Sequence, residues 1–225
     1  MADLEEKRIV DLSHVIEHGM TTYKGLPGPQ ICDFWDREGS AANYDDGSTF
    51  HIGRIDMVAN TGTYLDSPFH RYADGIDLAE LPLPSLADLP GIVVRRPWEN
   101  ELATDAQHLE SFDVRGKAVL VHTGWDRHWR TDRYGEDDPF VTGEAADWLV
   151  ENGAALVGID SNNIDDTRTR SRPVHTKLLA AGIPICEHMT ALGRLPDEGF
   201  RFSAVPPKVR GMGSFPVRAY AVLGQ

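Results

Sequence analysis

The segment ALVGIDSNNIDDTRTRSRPVHTKLLAAGIPICE, residues 155–187, contains the clearest alternation of strand and helix in the chain. Its first six residues form a short apolar run that ends on Asp160, which predicts a buried strand. Residues 174–181 predict a short helix that Gly182 closes, and the last five residues predict another strand that ends on Glu187. A strand, a helix and a second strand in this order are typical of an α/β fold.

Outside this segment, short strand-like runs outnumber the helices. Thr142 can cap a helix that ends near Gly153. Residues 51–58 alternate polar and apolar side chains, as in a half-buried strand. Further strands are predicted at residues 8–13, 91–94, 118–121 and 216–223. We therefore expect residues 1–225 to form a single α/β domain with a mixed sheet or a partial β-barrel flanked by helices.

The composition excludes several classes of function. The chain has 225 residues, with 22 Lys and Arg against 35 Asp and Glu, and a formal net charge of −13. This acidic excess disfavours binding to nucleic acid and to anionic membranes. No stretch approaches the roughly 20 apolar residues that span a bilayer, and the polar start does not resemble a signal peptide. The two cysteines do not form a disulfide framework. We expect a cytoplasmic protein.

Two polar clusters are candidates for chemistry. Asp66 and His70 stand four residues apart in a turn-rich stretch and can converge on one ion or one water, although such pairs are more often plain turn residues. His175 lies near a predicted helix start, and Glu187 ends the following strand, so the two could face one cleft. The alternative for this second pair is a helix-capping histidine and a solvated glutamate.

Several motifs in a fixed order extend these clusters. They are DLSH at 11–14, NTGTYLDSPFH at 60–70, HTKLLAAGIPICE at 175–187 and the tail at 207–223. Together they resemble the cyclase family that includes bacterial kynurenine formamidase and isatin hydrolase, over almost the whole chain. The resemblance implies a swivelling β/β/α-like fold, a small-molecule substrate and a homodimer or larger homo-oligomer.

The resemblance also assigns roles to individual residues. Asp66 matches a bridging metal ligand and His70 a catalytic acid/base, while His175 and Glu187 match the later ligands. The two leading histidines of the family motif are replaced by Asn60 and Tyr64, which are poor ligands for Zn²⁺ or Mn²⁺. The first metal position is therefore disrupted, and the second keeps two carboxylates and one imidazole.

We expect one divalent ion, Zn²⁺ or Mn²⁺, at Asp66, His175 and Glu187, although a metal-free protein stays open. With this ion the chain would hydrolyse an amide-like C–N bond in a small formamide or cyclic amide. His70 would act as acid/base and Tyr64 would donate a hydrogen bond to the oxyanion.

Two alternatives remain at this point. Without metal, His70 and an acidic partner, Glu187 or Asp66, could serve a cyclase or lactonase type of reaction. The fold could also be kept as a small-molecule binding protein that has lost catalysis. For either enzyme, the predicted substrate contacts are Asn60, Phe69, His122 and Trp125.

Overall fold

The computed structural model describes residues 8–224, over which the chain forms thirteen strands and three α-helices. The strands are β1 Arg8–Asp11, β2 Gln30–Trp35, β3 Ile52–Asp56, β4 Tyr64–Asp66, β5 Leu89–Arg95, β6 Ala103–Thr104, β7 Ala118–His122, β8 Phe140–Val141, β9 Leu156–Ile159, β10 Ile185–Glu187, β11 Phe200–Ser203, β12 Ser214–Pro216 and β13 Tyr220–Leu223. The helices are α1 Arg37–Ser40, α2 Gly143–Glu151 and α3 Pro173–Ala180. Within residues 8–224, none of the helices has the length and apolar character needed to cross a membrane.

Nine strands form one mixed sheet in the order β1-β13-β11-β5-β7-β9-β10-β4-β12. The central strands β5, β7, β9 and β10 are parallel, and the flanking strands pair in the antiparallel sense. Only residues 217–219 connect β12, at one edge, to β13, near the other edge. Since the four steps from Pro216 to Tyr220 reach at most about 14 Å, the sheet must curl until its edges approach each other. The predicted mixed sheet with a partial barrel is thus confirmed.

Both faces of the sheet are buried, and neighbouring residues of a strand contribute to different cores. In β7, Val119 and Val121 pack on the side of α2 and α3, whereas Leu120 belongs to the opposite core. This alternation follows from the two-residue period of a strand. Complete burial of one such aliphatic side chain contributes about 1.5–3 kcal/mol to folding, so the two cores stabilise the central strands strongly.

Most of the predicted elements are present, with two differences. Thr142 accepts a hydrogen bond from the Ala145 amide (3.2 Å) and caps α2 as expected, and Gly182, with φ of +75°, follows α3. The run 216–223 is not one strand, because it leaves the sheet between β12 and β13 to pass from one edge to the other.

The second difference concerns the strand predicted at 51–58 to be half-buried. Strand β3 pairs only with β2, in a separate two-stranded sheet, and every residue of both strands is exposed. The expectation of burial was wrong for this strand, because the hairpin packs on neither core. Apolar side chains on it are exposed, among them Ile31 at 40%, Phe34 at 62%, Ile52 at 44% and Ile55 at 48%.

Candidate active site

The register of three neighbouring strands assembles the centre of the site. In β4, Tyr64 and Asp66 lie two residues apart and therefore point to the same face of the sheet. Tyr64 is directly opposite Glu187 of β10, and Asp66 is directly opposite Ser214 of β12. Cross-strand neighbours of this kind are close enough for their side chains to contact each other. Four polar side chains are thus brought together on the face that carries α3.

Glu187 is held by two hydrogen bonds. Its Oε2 accepts from the Tyr64 hydroxyl (2.5 Å) and its Oε1 accepts from the Ile164 amide (2.6 Å). Burial and the nearby carboxylates of Glu187 and Asp66 raise the pKa of Tyr64 well above its ordinary value, so the phenol keeps its proton. A phenol has one proton to donate, and Tyr64 donates it to Glu187. The geometry therefore favours a role for Tyr64 in orienting Glu187, and not the predicted hydrogen bond to an oxyanion.

Asp66 connects to His70 through Ser214. The Ser214 hydroxyl contacts Asp66 Oδ1, and it lies 2.9 Å from His70 Nδ1. An ionised carboxylate only accepts hydrogen bonds, so Ser214 donates to Asp66 and accepts from the protonated Nδ1 of His70. In neutral His70 the lone pair is therefore on Nε2. The other oxygen of Asp66, Oδ2, is buried and has no hydrogen-bond partner among the described residues.

His175 is oriented by Asp165. The Asp165 carboxylate accepts from the backbone amides of Val174 (2.7 Å) and His175 (3.1 Å), and so caps the first turn of α3. Its Oδ2 also lies 2.6 Å from His175 Nδ1, which leaves Nε2 of the buried imidazole turned to the site. Burial lowers the pKa of His175, but the charge of Glu187 and the hydrogen bonds to carboxylates raise it more, so the net pKa is well above the ordinary value.

The spacings from His175 Nε2 to two buried carboxylates fit a metal ion. His175 Nε2 lies 3.6 Å from Asp66 Oδ2 and 3.7 Å from Glu187 Oε1. Bonds of about 2.0–2.2 Å to a tetrahedral Zn²⁺ require donors roughly 3.3–3.6 Å apart, so these spacings are close to that requirement. The unpartnered Oδ2 of Asp66 and the imidazole held by Asp165 are further features of a metal ligand set. Asp66, His70 and His175 also present donor atoms within 4.8 Å of one another.

A cavity of about 250 Å³ opens onto these groups. Its lining includes five of the residues singled out from the sequence and five others. The former are Asn60, Tyr64, His70, His175 and Glu187; the latter are Tyr23, Leu26, Arg71, Asn163 and Arg172. The volume lies slightly below the roughly 300–1,000 Å³ that is typical of ligand sites, which indicates a small substrate.

Three residues predicted to contact substrate do not line this cavity. Trp125 is buried at 1% exposure, and its indole N–H donates to the Tyr134 carbonyl (2.9 Å). His122 lies 3.1 Å from an Arg95 nitrogen, and Phe69 is absent from the lining. No cavity contact supports these three assignments, which stay predictions.

Asp160, noted in the sequence as an acid at a strand end, has structural contacts. Its carboxylate accepts from the Thr123 amide (2.7 Å), the Thr123 hydroxyl (2.6 Å) and the Gly124 amide (2.8 Å). Burial nevertheless raises the pKa of Asp160 to about 7. These bonds fix the turn after β7, so Asp160 supports the fold beside the site.

Ser214 and Asp165 were not recognised from the sequence. Each acts on a residue far along the chain or across a loop, and serine and aspartate are common in turns, so neither position carries a local signal. Their role becomes visible only from the contacts with His70 and His175.

The sequence and the fold of this chain match those of known proteins. A family model described as "Putative cyclase" matches residues 10–166. The chain belongs to this cyclase family. It is 26% identical to a kynurenine formamidase of Erythrobacter litoralis over 209 residues, which cover 91% of this chain and 88% of the relative. It is 30% identical to a kynurenine formamidase of Geobacillus thermodenitrificans over 180 residues, 79% of this chain and 82% of the relative.

Solved structures share the fold of this cyclase family member. Isatin hydrolase A of Labrenzia aggregata superposes with a TM-score of 0.83 at 19% identity and covers 97% of this chain, with 94% of its own chain covered. A protein described as a potential metal-dependent hydrolase with cyclase activity gives a TM-score of 0.79 at 24% identity, with 97% and 99% covered. Because the relatives of this family member are hydrolases, the chain is a hydrolase. The alternative of a binding protein without catalysis is therefore not retained.

Proposed function

We propose that this enzyme hydrolyses the C–N bond of a small formamide or cyclic amide, with one divalent ion held by Asp66, His175 and Glu187. The observation that carries the proposal is the position of His175 Nε2, which lies 3.6 Å from Asp66 Oδ2 and 3.7 Å from Glu187 Oε1. The names of the relatives, kynurenine formamidase and isatin hydrolase, agree with this bond type.

The ion supplies Lewis acidity, which makes water acidic near neutral pH and polarises an amide carbonyl. Glu187 is preferred to His70 as the third ligand, because the Glu187 side chain is buried whereas that of His70 is 35% exposed. Tyr64 and the Ile164 amide hold the Glu187 carboxylate in place.

His70 performs the proton transfers in this proposal. With its Nδ1 proton bonded to Ser214, Nε2 is the basic nitrogen that accepts a proton from the attacking water. Water oxygen adds to the carbonyl carbon, the C–N bond breaks, and His70 returns the proton to the leaving nitrogen. For a formamide the products are formate and an amine, which balances the reaction.

The test uses the purified full chain with formylkynurenine and isatin as substrates. We expect activity with Zn²⁺ or Mn²⁺ that a chelator removes, and one bound metal per chain by mass spectrometry. His70→Ala should retain the metal and lose about 10²–10⁴-fold in kcat. Glu187→Gln should lose the metal. Retention of metal in Glu187→Gln together with its loss in His70→Ala would contradict our assignment.

One observation favours a second candidate, a metal-independent cyclase or lactonase. The chain of contacts from Asp66 through Ser214 to His70 supplies a base and its orienting acid without any ion. Turnover of a lactone panel that resists chelators would favour this candidate over the first.

The homodimer predicted from the resemblance stays a proposal, and the β2–β3 hairpin supports it. A lone two-stranded hairpin is marginally stable in water, and clustered exposed apolar side chains are typical of interfaces. Ile31, Phe34, Trp35, Ile52 and Ile55 all belong to such a surface. Light scattering should give at least twice the chain mass of 24.9 kDa, whereas a mass of 24.9 kDa would overturn this expectation. A cytoplasmic location likewise stays a prediction.

A further inference from the structure

Two arginines line the active-site cavity, and the proposed hydrolysis uses neither of them. Arg71 directly follows the acid/base His70, and Arg172 directly precedes the first residue of α3. A pair of cations at this position is unexpected in a chain with a net charge of −13. The local charge at the cavity is therefore different from the charge of the molecule as a whole.

Thr176 ties the two arginines to the same turn of α3. Arg71 Nε donates to the Thr176 hydroxyl (3.2 Å), and this hydroxyl donates to the Arg172 carbonyl (2.7 Å). Tyr72 reinforces the contact, because its hydroxyl donates to the Thr176 carbonyl (2.7 Å). The Arg71 side chain and the Arg172 backbone are thus joined by a small hydrogen-bonded unit at the start of α3.

The hydrogen-bond partners of both guanidinium groups are neutral, and the charge of Arg172 acts on the Asp166 carboxylate without a hydrogen bond to it. Arg172 donates through Nη1 alone, to the carbonyls of Asp166 (3.2 Å), Thr169 (2.9 Å) and Ser171 (2.7 Å). Arg71 donates through Nε alone. Neither residue forms a salt bridge with a carboxylate in the part of the chain that the structure describes, whereas nearby Arg168 pairs with Asp166 at 2.8 Å. The Nη2 donors of both arginines are thus left for a ligand.

We propose that Arg71 and Arg172 form the subsite that binds the carboxylate of an aryl formamide substrate. The inference rests on the proposed hydrolysis at this site. A guanidinium presents a planar fork of donors that matches a carboxylate. Within the cavity lining, the two guanidinium groups face a single carboxylate, that of Glu187. Tyr23 and Leu26, also in the lining, provide apolar contact for the aryl ring.

The experiment compares two substrates that differ only in the carboxylate, N-formylanthranilate and formanilide. Wild type should have a higher kcat/KM for N-formylanthranilate. Arg71→Gln and Arg172→Gln should each lower this kcat/KM by about 10- to 100-fold, the usual effect of losing a charge-assisted hydrogen bond, and change the value for formanilide less than about 3-fold. Arg170→Gln is the matched control, since Arg170 is an exposed arginine of the same loop outside the cavity lining. It should change neither value.

Equal losses for both substrates, or an unchanged preference in both variants, would overturn the inference. Binding of benzoate and benzamide, measured by calorimetry on the same proteins, separates it from the proposed function. If benzoate binds to wild type and not to the two arginine variants while no amide is hydrolysed, the carboxylate site stands and the proposed function fails. If amides are hydrolysed and benzoate binds equally to all variants, the carboxylate site fails and the function stands.

Discussion

Ser214 Oγ lies 2.9 Å from His70 Nδ1 and joins this ring to the buried carboxylate of Asp66, 148 residues away along the chain. The hydroxyl can satisfy both neighbours only by donating to Asp66 and accepting from His70. This arrangement leaves Nε2 of His70 outside the contact with Ser214 and restrains the ring, whose side chain is 35% exposed. Ser214 is thus a positioning residue for the proposed acid/base.

Replacement of Ser214 by alanine should therefore reduce catalysis without preventing metal binding. We expect Ser214→Ala to lower kcat by about 10- to 100-fold with little change in KM, because His70 loses its orienting bond. Steady-state kinetics and metal analysis provide the measurement. Ser214→Thr keeps the hydroxyl and should recover much of kcat, and Ser85→Ala, at a half-buried serine outside the cavity lining, should leave kcat unchanged. A fully active Ser214→Ala enzyme would refute this role.

Asp165 should control the affinity for the ion. In Asp165→Asn an amide nitrogen replaces one of the oxygens that accept from α3 and from His175 Nδ1. We expect metal affinity to fall by about 10- to 100-fold, measured by competition with a chelator of known affinity. Asp166→Asn is the control, because the Asp166 side chain pairs with Arg168 and not with His175. Equal affinities of the two variants would count against the orienting role of Asp165.

Tyr64 should contribute to stability through Glu187. Tyr64→Phe removes the hydroxyl whose hydrogen bond Glu187 Oε2 accepts, and it leaves an oxygen of a fully buried carboxylate without this partner. The free energy of unfolding of the metal-free protein should fall by about 1–3 kcal/mol, measured in urea. Tyr44→Phe, at a tyrosine that is 53% exposed, should leave it nearly unchanged. A Tyr64→Phe protein as stable as wild type would show that the hydrogen bond is not needed.

His14 should make the fold sensitive to acid. Its ring stacks on Trp129 with centroids 4.1 Å apart, and burial lowers its pKa to about 4, although Asp126 acts in the opposite direction. Because the unfolded chain keeps the ordinary value of 6.5, it binds more protons than the folded chain between pH 6.5 and 4. The contribution of neutral His14 to the free energy of unfolding is thus fully present above pH 6.5 and decreases as the pH falls towards 4.

The variant His14→Phe keeps a stacking ring and removes this titration. The loss of unfolding free energy between pH 7 and pH 4.5 should be smaller in the variant by about 2 kcal/mol, since one pKa unit corresponds to about 1.4 kcal/mol. Urea titrations at the two pH values provide the measurement. An identical pH dependence in wild type and variant would contradict the role of His14.

The central elements of the fold were predictable from local patterns. Apolar runs bounded by glycine or acids indicated β5, β7, β9 and β10, and Thr142 and Gly182 marked helix ends. The exposure of β3 was not predictable, because polar and apolar residues alternate in the same way whether the apolar side of a strand is buried or exposed.

By itself, the sequence determined the family and the mixed α/β fold and predicted the group Asp66, His70, His175 and Glu187, because these follow from short motifs and their order. Only the tertiary structure showed that Tyr64 donates to Glu187, that Ser214 contacts His70, and that Arg71 and Arg172 line the same cavity. The physical reason is sequence distance: strand register pairs side chains 123 and 148 residues apart, and no local pattern in the chain encodes that register.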